Sequence, residues 1–162
     1  MEEITIEKIE RGTAVVDALI PRSSARGNLL VDALLIVGCA ALTGLAARVE
    51  VYLNPAVPIT GQTFVVLLAG AALGSKRGGA SMLVYLAAGI AGIPVFASGG
   101  AIPGASRGYF LGFVAASFIV GLLTERGWSR NPFKLVAVML AGEVAIYAFG
   151  LPWLAFYIPD EM

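Results

Sequence analysis

Apolar residues in this chain do not alternate with polar ones at a strand or surface-helix period. They arrive in long runs broken by short polar or glycine- and proline-rich stretches. Five runs stand out, at about 29–53, 59–74, 80–96, 108–124 and 135–157. Helices that are apolar all round are buried in a large core or in lipid. At 1.5 Å per residue, about 20 residues cross a hydrocarbon core of roughly 30 Å. The first run is long enough; its Asp32, Arg48 and Glu50 lie close to its ends, where charged side chains reach the interface. The second and fourth are short for a perpendicular crossing and need a thinned bilayer, flanking turns or cover from neighbours. Asn54, Pro55 and Pro58 close the first run, Ser75 to Gly79 the second, and Glu125 to Lys134 forms a polar turn before the fifth. The pattern predicts an all-α integral membrane protein, with residues 1–28 as a polar N-terminal cytoplasmic segment and 29–162 as a single transmembrane helical domain. Within the polar segment, Thr13 to Ile20 can form a short helix stopped by Pro21, although a solvated tail is the preferred reading.

Composition agrees. The chain is 58% hydrophobic and 14% charged, with a mean hydropathy of +0.84, against roughly 45–50% and about 25% for a soluble domain. Charge then orients the spans. Arg22, Arg26, Lys76, Arg77, Arg126, Arg130 and Lys134 fall on one side of five crossings, and Arg48 and Arg107 on the other. The positive-inside rule makes the first side cytoplasmic, so the N-terminus is expected inside a multi-pass cell-membrane protein. The acidic start, with Glu2, Glu3, Glu7 and Glu10, is unlike a signal peptide, so insertion is expected to rely on the first span. Formal net charge is zero and no basic patch with interleaved aromatics occurs, so membrane lipid rather than nucleic acid is the expected environment.

The same orientation places Gly89 to Gly112 outside. This stretch, GIAGIPVFASGGAIPGASRGYFLG, is a glycine- and proline-dense loop between two apolar runs. Such a loop lets backbone approach a ligand closely, and it is expected to form the lid and wall of a small-molecule site. Around it lie candidate polar groups: Thr60, Gln62 and Thr63 at the start of the second run, Tyr85 in mid-span, Arg107 in the loop and Tyr109 just after it. Thr60 is also suited to cap the helix that follows, Tyr109 to an interfacial aromatic belt, and Arg107 to a plain solvated charge or a ligand carboxylate. Glu143, deep in the fifth run, is a functional candidate or a hydrogen-bonding partner of a neighbouring helix. Ala40 and Gly44, Gly70 and Gly74, Gly74 and Gly78, and Gly108 and Gly112 are spaced for close helix contact, which ordinary bundle packing accounts for in most cases.

Enzymatic chemistry finds little to work with. There is no His, and the intramembrane carboxylates Asp32 and Glu143 lie in opposite halves of the sequence. Gly74-Ser75-Lys76 is not a phosphate-binding loop. No catalytic residue, cofactor or metal site is expected, and Cys39 reads as a buried apolar thiol. Any energy for transport would come from another polypeptide.

Several motifs resemble the BioY family: Val57-Pro58-Ile59-Thr60-Gly61-Gln62-Thr63-Phe64, Leu68-Ala69-Gly70, Leu73-Gly74, Tyr85, Gly89 to Phe96, Gly108-Tyr109, Gly112-Phe113 and Leu151-Pro152-Trp153-Leu154. The resemblance covers about residues 30–157. It implies a biotin-specific S-component of an energy-coupling-factor (ECF) transporter, whose partners are a transmembrane T-component and ATPase subunits. It implies a six-helix bundle, of which five transmembrane helices are present here; the sixth, with its Gly-Asp-x-x-Lys motif, has no counterpart, and an incomplete sequence is the expected reason. By this resemblance Ala40 and Gly44 dock the partner. Gly99, Gly100 and Tyr109 wall the biotin site, Gln62 and Tyr85 offer polar contacts, and Arg107 meets the carboxylate. Two departures weaken transfer of the contacts: Gly100 stands where some relatives have Asn, and Phe110 where some have Arg. An S-component for another vitamin and a membrane scaffold subunit without a ligand are the alternatives.

Overall fold

The computed structural model describes residues 14–19, 25–51, 59–97 and 104–157. Its helices are α1 (Val15–Leu19), α2 (Ala25–Ala46), α3 (Gln62–Leu73), α4 (Ser75–Ile90), α5 (Arg107–Glu125) and α6 (Pro132–Tyr157). The stretches Asn28–Ala46, Gly104–Glu125 and Pro132–Tyr157 are long and apolar enough to cross a membrane; α3, at 12 residues, is apolar but shorter. The fold is an integral membrane helical bundle, as expected. The fourth run corrects its sequence reading, because a short 3-10 turn at Gly104–Ser106 leads directly into α5 and lengthens the apolar element.

Three boundaries differ from the hydropathy pattern, each for a local reason. The first helix stops at Ala46 rather than near Leu53. Arg48 and Val49 donate to Leu45 and Ala46, and the chain then extends into β1 (Glu50–Val51). β1 pairs antiparallel with β2 (Ile59–Thr60), Glu50 opposite Thr60. The Val-Glu-Val sequence suits a strand, and a hydropathy count cannot tell strand from helix. The third run becomes a helix five residues early. Gly74, at φ +83°, turns the chain between α3 and α4 in one residue, a backbone region that favours glycine. The carboxylate of Glu125, at the end of α5, then accepts from Ser75 N at 2.7 Å and from Ser75 Oγ, supplying the cap that α4 lacks locally. At its other end α4 closes with Gly92 at φ +88°: Ile93 N donates to Ala88 O and Gly92 N to Gly89 O, a Schellman ending. Asn131 Oδ1 caps α6, accepting from Phe133 N at 2.9 Å, with Pro132 in the first helical position.

Helix α5 lies at the centre, packed on α3, α4 and α6. Small residues allow this. A side chain on Gly70 would strike the backbone of Ser117, and one on Gly112 would lie 2.7 Å from Ile146 O. The glycine spacings in these helices therefore serve packing within the chain. The same holds for Ala40 and Gly44. Both are buried, and a Cβ on Gly44 would lie 3.3 Å from Val95. In this chain both residues therefore face the bundle, against the segment that carries Val95.

The bundle's two ends differ. At one, Arg77 joins Asp17 of α1 to Asp32 of α2, with N–O distances of 2.9 and 3.0 Å. The Asp17 contact is an ion pair without hydrogen-bond alignment at Nη1. Ala14 beside it is buried. Within the stretch expected to be a solvated tail, Val15–Leu19 is thus a short helix tied to the bundle. The other end carries the candidate site.

Candidate functional site

The site is built around the exit from α4. Tyr85 lies three turns into that helix and Gln62 is the first residue of α3. Both are inside the bundle, with 1% and 4% of their surface exposed. Gln62 Nε2 donates to the Tyr85 hydroxyl, which donates to Val95 O at 3.1 Å. Thr60 Oγ1 accepts from Gln62 N at 3.3 Å and donates to Gln62 Oε1 at 2.8 Å. Thr60 therefore serves the start of α3, as its capping reading expected, and also holds the amide of Gln62. The directions are forced. Val95 O can only accept, so the tyrosine must donate to it and the amide must turn its nitrogen to the tyrosine.

Beneath this chain is an aromatic floor. Phe96 is fully buried; its ring meets Tyr85 edge-on at 5.5 Å and Phe110 at 4.6 Å. Phe110 in turn meets Phe113 at 5.6 Å. Gly89 leaves the space that the Phe96 ring fills. From the side, Arg48, just beyond α2, donates through Nη2 to Pro94 O at 2.5 Å. Neither Arg48 nor Phe96 was singled out from sequence: the arginine read as a helix-end charge, and the phenylalanine as one apolar residue among many.

Arg107 opens α5 and is exposed. Tyr109, half-buried, meets Tyr147 edge-on at 6.1 Å, and its ring lies where Gly150 has no side chain. Trp153 Nε1 donates to Gly104 O at 2.9 Å and fixes the approach to Arg107. Glu143 is half-buried on α6, one turn from Tyr147. The close contacts of α5 with α6 run from Gly108 against Phe149 to Gly142 against Val120. Glu143 therefore lies roughly 12 Å deeper along the axis than Arg107, at 1.5 Å per residue. Arg107 and Tyr109 share the first turn of α5, with Arg107 exposed and Tyr109 turned toward α6; Glu143 lies deeper than both. Gly99 and Gly100 lie outside the described residues. Among the described residues no cluster of His, Cys, Asp or Glu is arranged to hold a metal ion.

Gln62 and Tyr85 were expected to offer polar contacts to a ligand. Here their hydrogen-bonding groups are engaged with each other, with Thr60 and with Val95 O.

Residues 20–161 match the model of the BioY family. A protein named "Probable biotin transporter BioY" from Pyrococcus horikoshii is 43% identical over 122 residues, covering 73% of this chain and 70% of its own length. One of the same name from Lysinibacillus sphaericus is 37% identical over 118 residues, 71% of this chain and 60% of its own. The "Biotin transporter BioY" of Thermotoga maritima is 39% identical, with 74% and 72% covered. The chain thus spans about three fifths to three quarters of the length of these relatives. A crystal structure described as the S-component for biotin from an ECF-type ABC transporter superposes with a TM-score of 0.69 over 83% of this chain and 76% of that one; at 23% identity the likeness establishes the shared fold. By its motifs, its helical bundle and the match over nearly its whole length, this chain belongs to the BioY family.

Proposed function

We propose that this chain is a substrate-binding S-component for biotin uptake. It captures biotin at the outer face and delivers it through an ECF complex in which a T-component spans the membrane and ATPase subunits supply the energy. The observation that carries the reading is the arrangement at one end of the bundle: a pinned segment, residues 92–96, packed on an aromatic floor, in a chain of this family. Biotin has an apolar thioether ring, a polar ureido ring and a carboxylate tail. A mostly apolar site with a few placed polar groups is the host such a ligand needs. Arg107, exposed beside Tyr109, has the charge and fork geometry to take the carboxylate. Gly99, Gly100 and Tyr109 would form the wall, and Glu143 would act from deeper in α6.

The opposite end gathers Lys76, Arg77 and Arg126 near the starts of α4 and the end of α5, which favours that end as cytoplasmic. With no phosphate-binding loop in its sequence, the chain would act as a binding subunit rather than an enzyme. A thermal-shift panel of vitamins on the purified full-length chain tests the choice of ligand. Biotin alone should raise the melting temperature, since a ligand that binds only the folded state stabilises it by mass action. Stabilisation by a different vitamin and not by biotin would overturn the assignment.

A further inference from the structure

We propose that Gln62, Tyr85 and Arg48 are positioning residues, which clamp two successive backbone carbonyls and so fix the stalk of the glycine loop. This deepens the biotin-binding reading and rests on it for the ligand.

Two carbonyls in a row, Pro94 O and Val95 O, are taken by side chains from separate elements: Arg48 from beyond α2 and Tyr85 from α4. Tyr85 is itself held by Gln62 at the head of α3, and Gln62 by Thr60 at the end of β2. Immediately after the two carbonyls, Phe96 is driven into the aromatic floor with none of its surface exposed. The segment from Gly92 to Phe96 thus has its turn set by Gly92, its carbonyls fixed by Arg48 and Tyr85, and its end anchored by a ring. Ala97 follows at once, as the last described residue before the loop.

A ligand contact would need polar atoms facing open space. Gln62 and Tyr85 instead form a directed relay ending on a carbonyl that can only accept. Such a relay acts as a unit. Removing the Tyr85 hydroxyl frees Val95 O outright, whereas removing Gln62 leaves the hydroxyl able to donate but no longer held in place. These side chains therefore act on the site through the backbone of residues 92–97, without touching the ligand. A segment fixed before binding loses less freedom on binding, which raises affinity with no added contact.

Two readings on the full-length chain in detergent test this, in a Cys39→Ala, Ala97→Cys background with a nitroxide on residue 97. The first needs no ligand. Tyr85→Phe keeps the ring and removes both hydrogen bonds, and the label's spectrum should show greater mobility. Gln62→Leu, which leaves Tyr85 able to donate to Val95 O, should loosen the label by a smaller amount, and the double variant no further than Tyr85→Phe alone. Unchanged spectra overturn the clamp whether or not biotin binds. The second reading is biotin affinity. Tyr85→Phe should weaken it roughly ten-fold, mostly through faster dissociation, Gln62→Leu by less, and the double variant no more than Tyr85→Phe. Additive losses would make the two side chains direct ligand contacts and overturn the positioning role. Wild-type affinity with a loosened label would overturn it as well. A wild-type chain that binds no biotin sinks the biotin reading and leaves the label to decide the clamp. Arg48→Gln, outside the core, provides both readings if either core variant fails to fold.

Discussion

Arg107 and Gly112 illustrate how differently single residues act in this molecule. Arg107 is exposed and contributes nothing evident to packing. Its replacement by alanine should leave the melting temperature of the ligand-free chain nearly unchanged. If the residue meets a carboxylate, the change should weaken biotin binding by about 10- to 100-fold, the value of a charge-assisted hydrogen bond of roughly 1.5–3 kcal/mol. Isothermal titration with both proteins reads this directly. Gly112 is the reverse case. A side chain there would lie 2.7 Å from Ile146 O, backbone that cannot move aside cheaply. Gly112→Leu should force α5 and α6 apart and cost about 1–3 kcal/mol or more, seen as a lower melting temperature and, at the far end of the effect, as loss of folded protein. Sequence located both residues but distinguished their roles only in part. The importance of Gly112 follows from spacing alone. Gln62 and Tyr85 were recognisable as polar groups in apolar surroundings, but each is the other's partner from 23 residues away, a pairing that no local pattern carries.

At the scale of elements, the reading was most faithful where a helix depends on its own sequence. Helices α5 and α6 were legible from their long apolar runs, although the Asn131 cap and Pro132, which start α6 three residues before its run, read as part of a polar turn. It failed at the start of α4, where Ser75 to Gly79 reads as a polar turn. The missing term is Glu125, 50 residues on, whose carboxylate caps the helix and offsets Lys76 and Arg77 in the first turn. Removing it should expose that dependence. Glu125→Ala should destabilise the chain by about 1–2 kcal/mol, as loss of a cap does, and Glu125→Gln should recover part of this because an acceptor remains. Thermal unfolding of the two variants side by side checks both statements. The early end of α2 has a different cause. Hydropathy counts apolar residues whatever their period, and so joined a helix to the strand that follows it.

For the molecule as a whole, the bundle is closed at one end by charge and carries the candidate site at the other. Arg77 holds α1 and α2 together through Asp17 and Asp32, with 17% of its side chain exposed. Replacing it with glutamine should release α1 first. Amide exchange within Val15–Leu19 should quicken about five-fold, while exchange in the centre of α5 stays slow, because local opening follows local stability. The site end makes the functional claim, and one experiment addresses it most directly: equilibrium binding of tritiated biotin to the purified full-length chain. The account predicts saturable binding of one biotin per chain, displaced by unlabelled biotin and not by other vitamins. Absence of saturable binding by folded protein, or displacement by an unrelated vitamin, would contradict it.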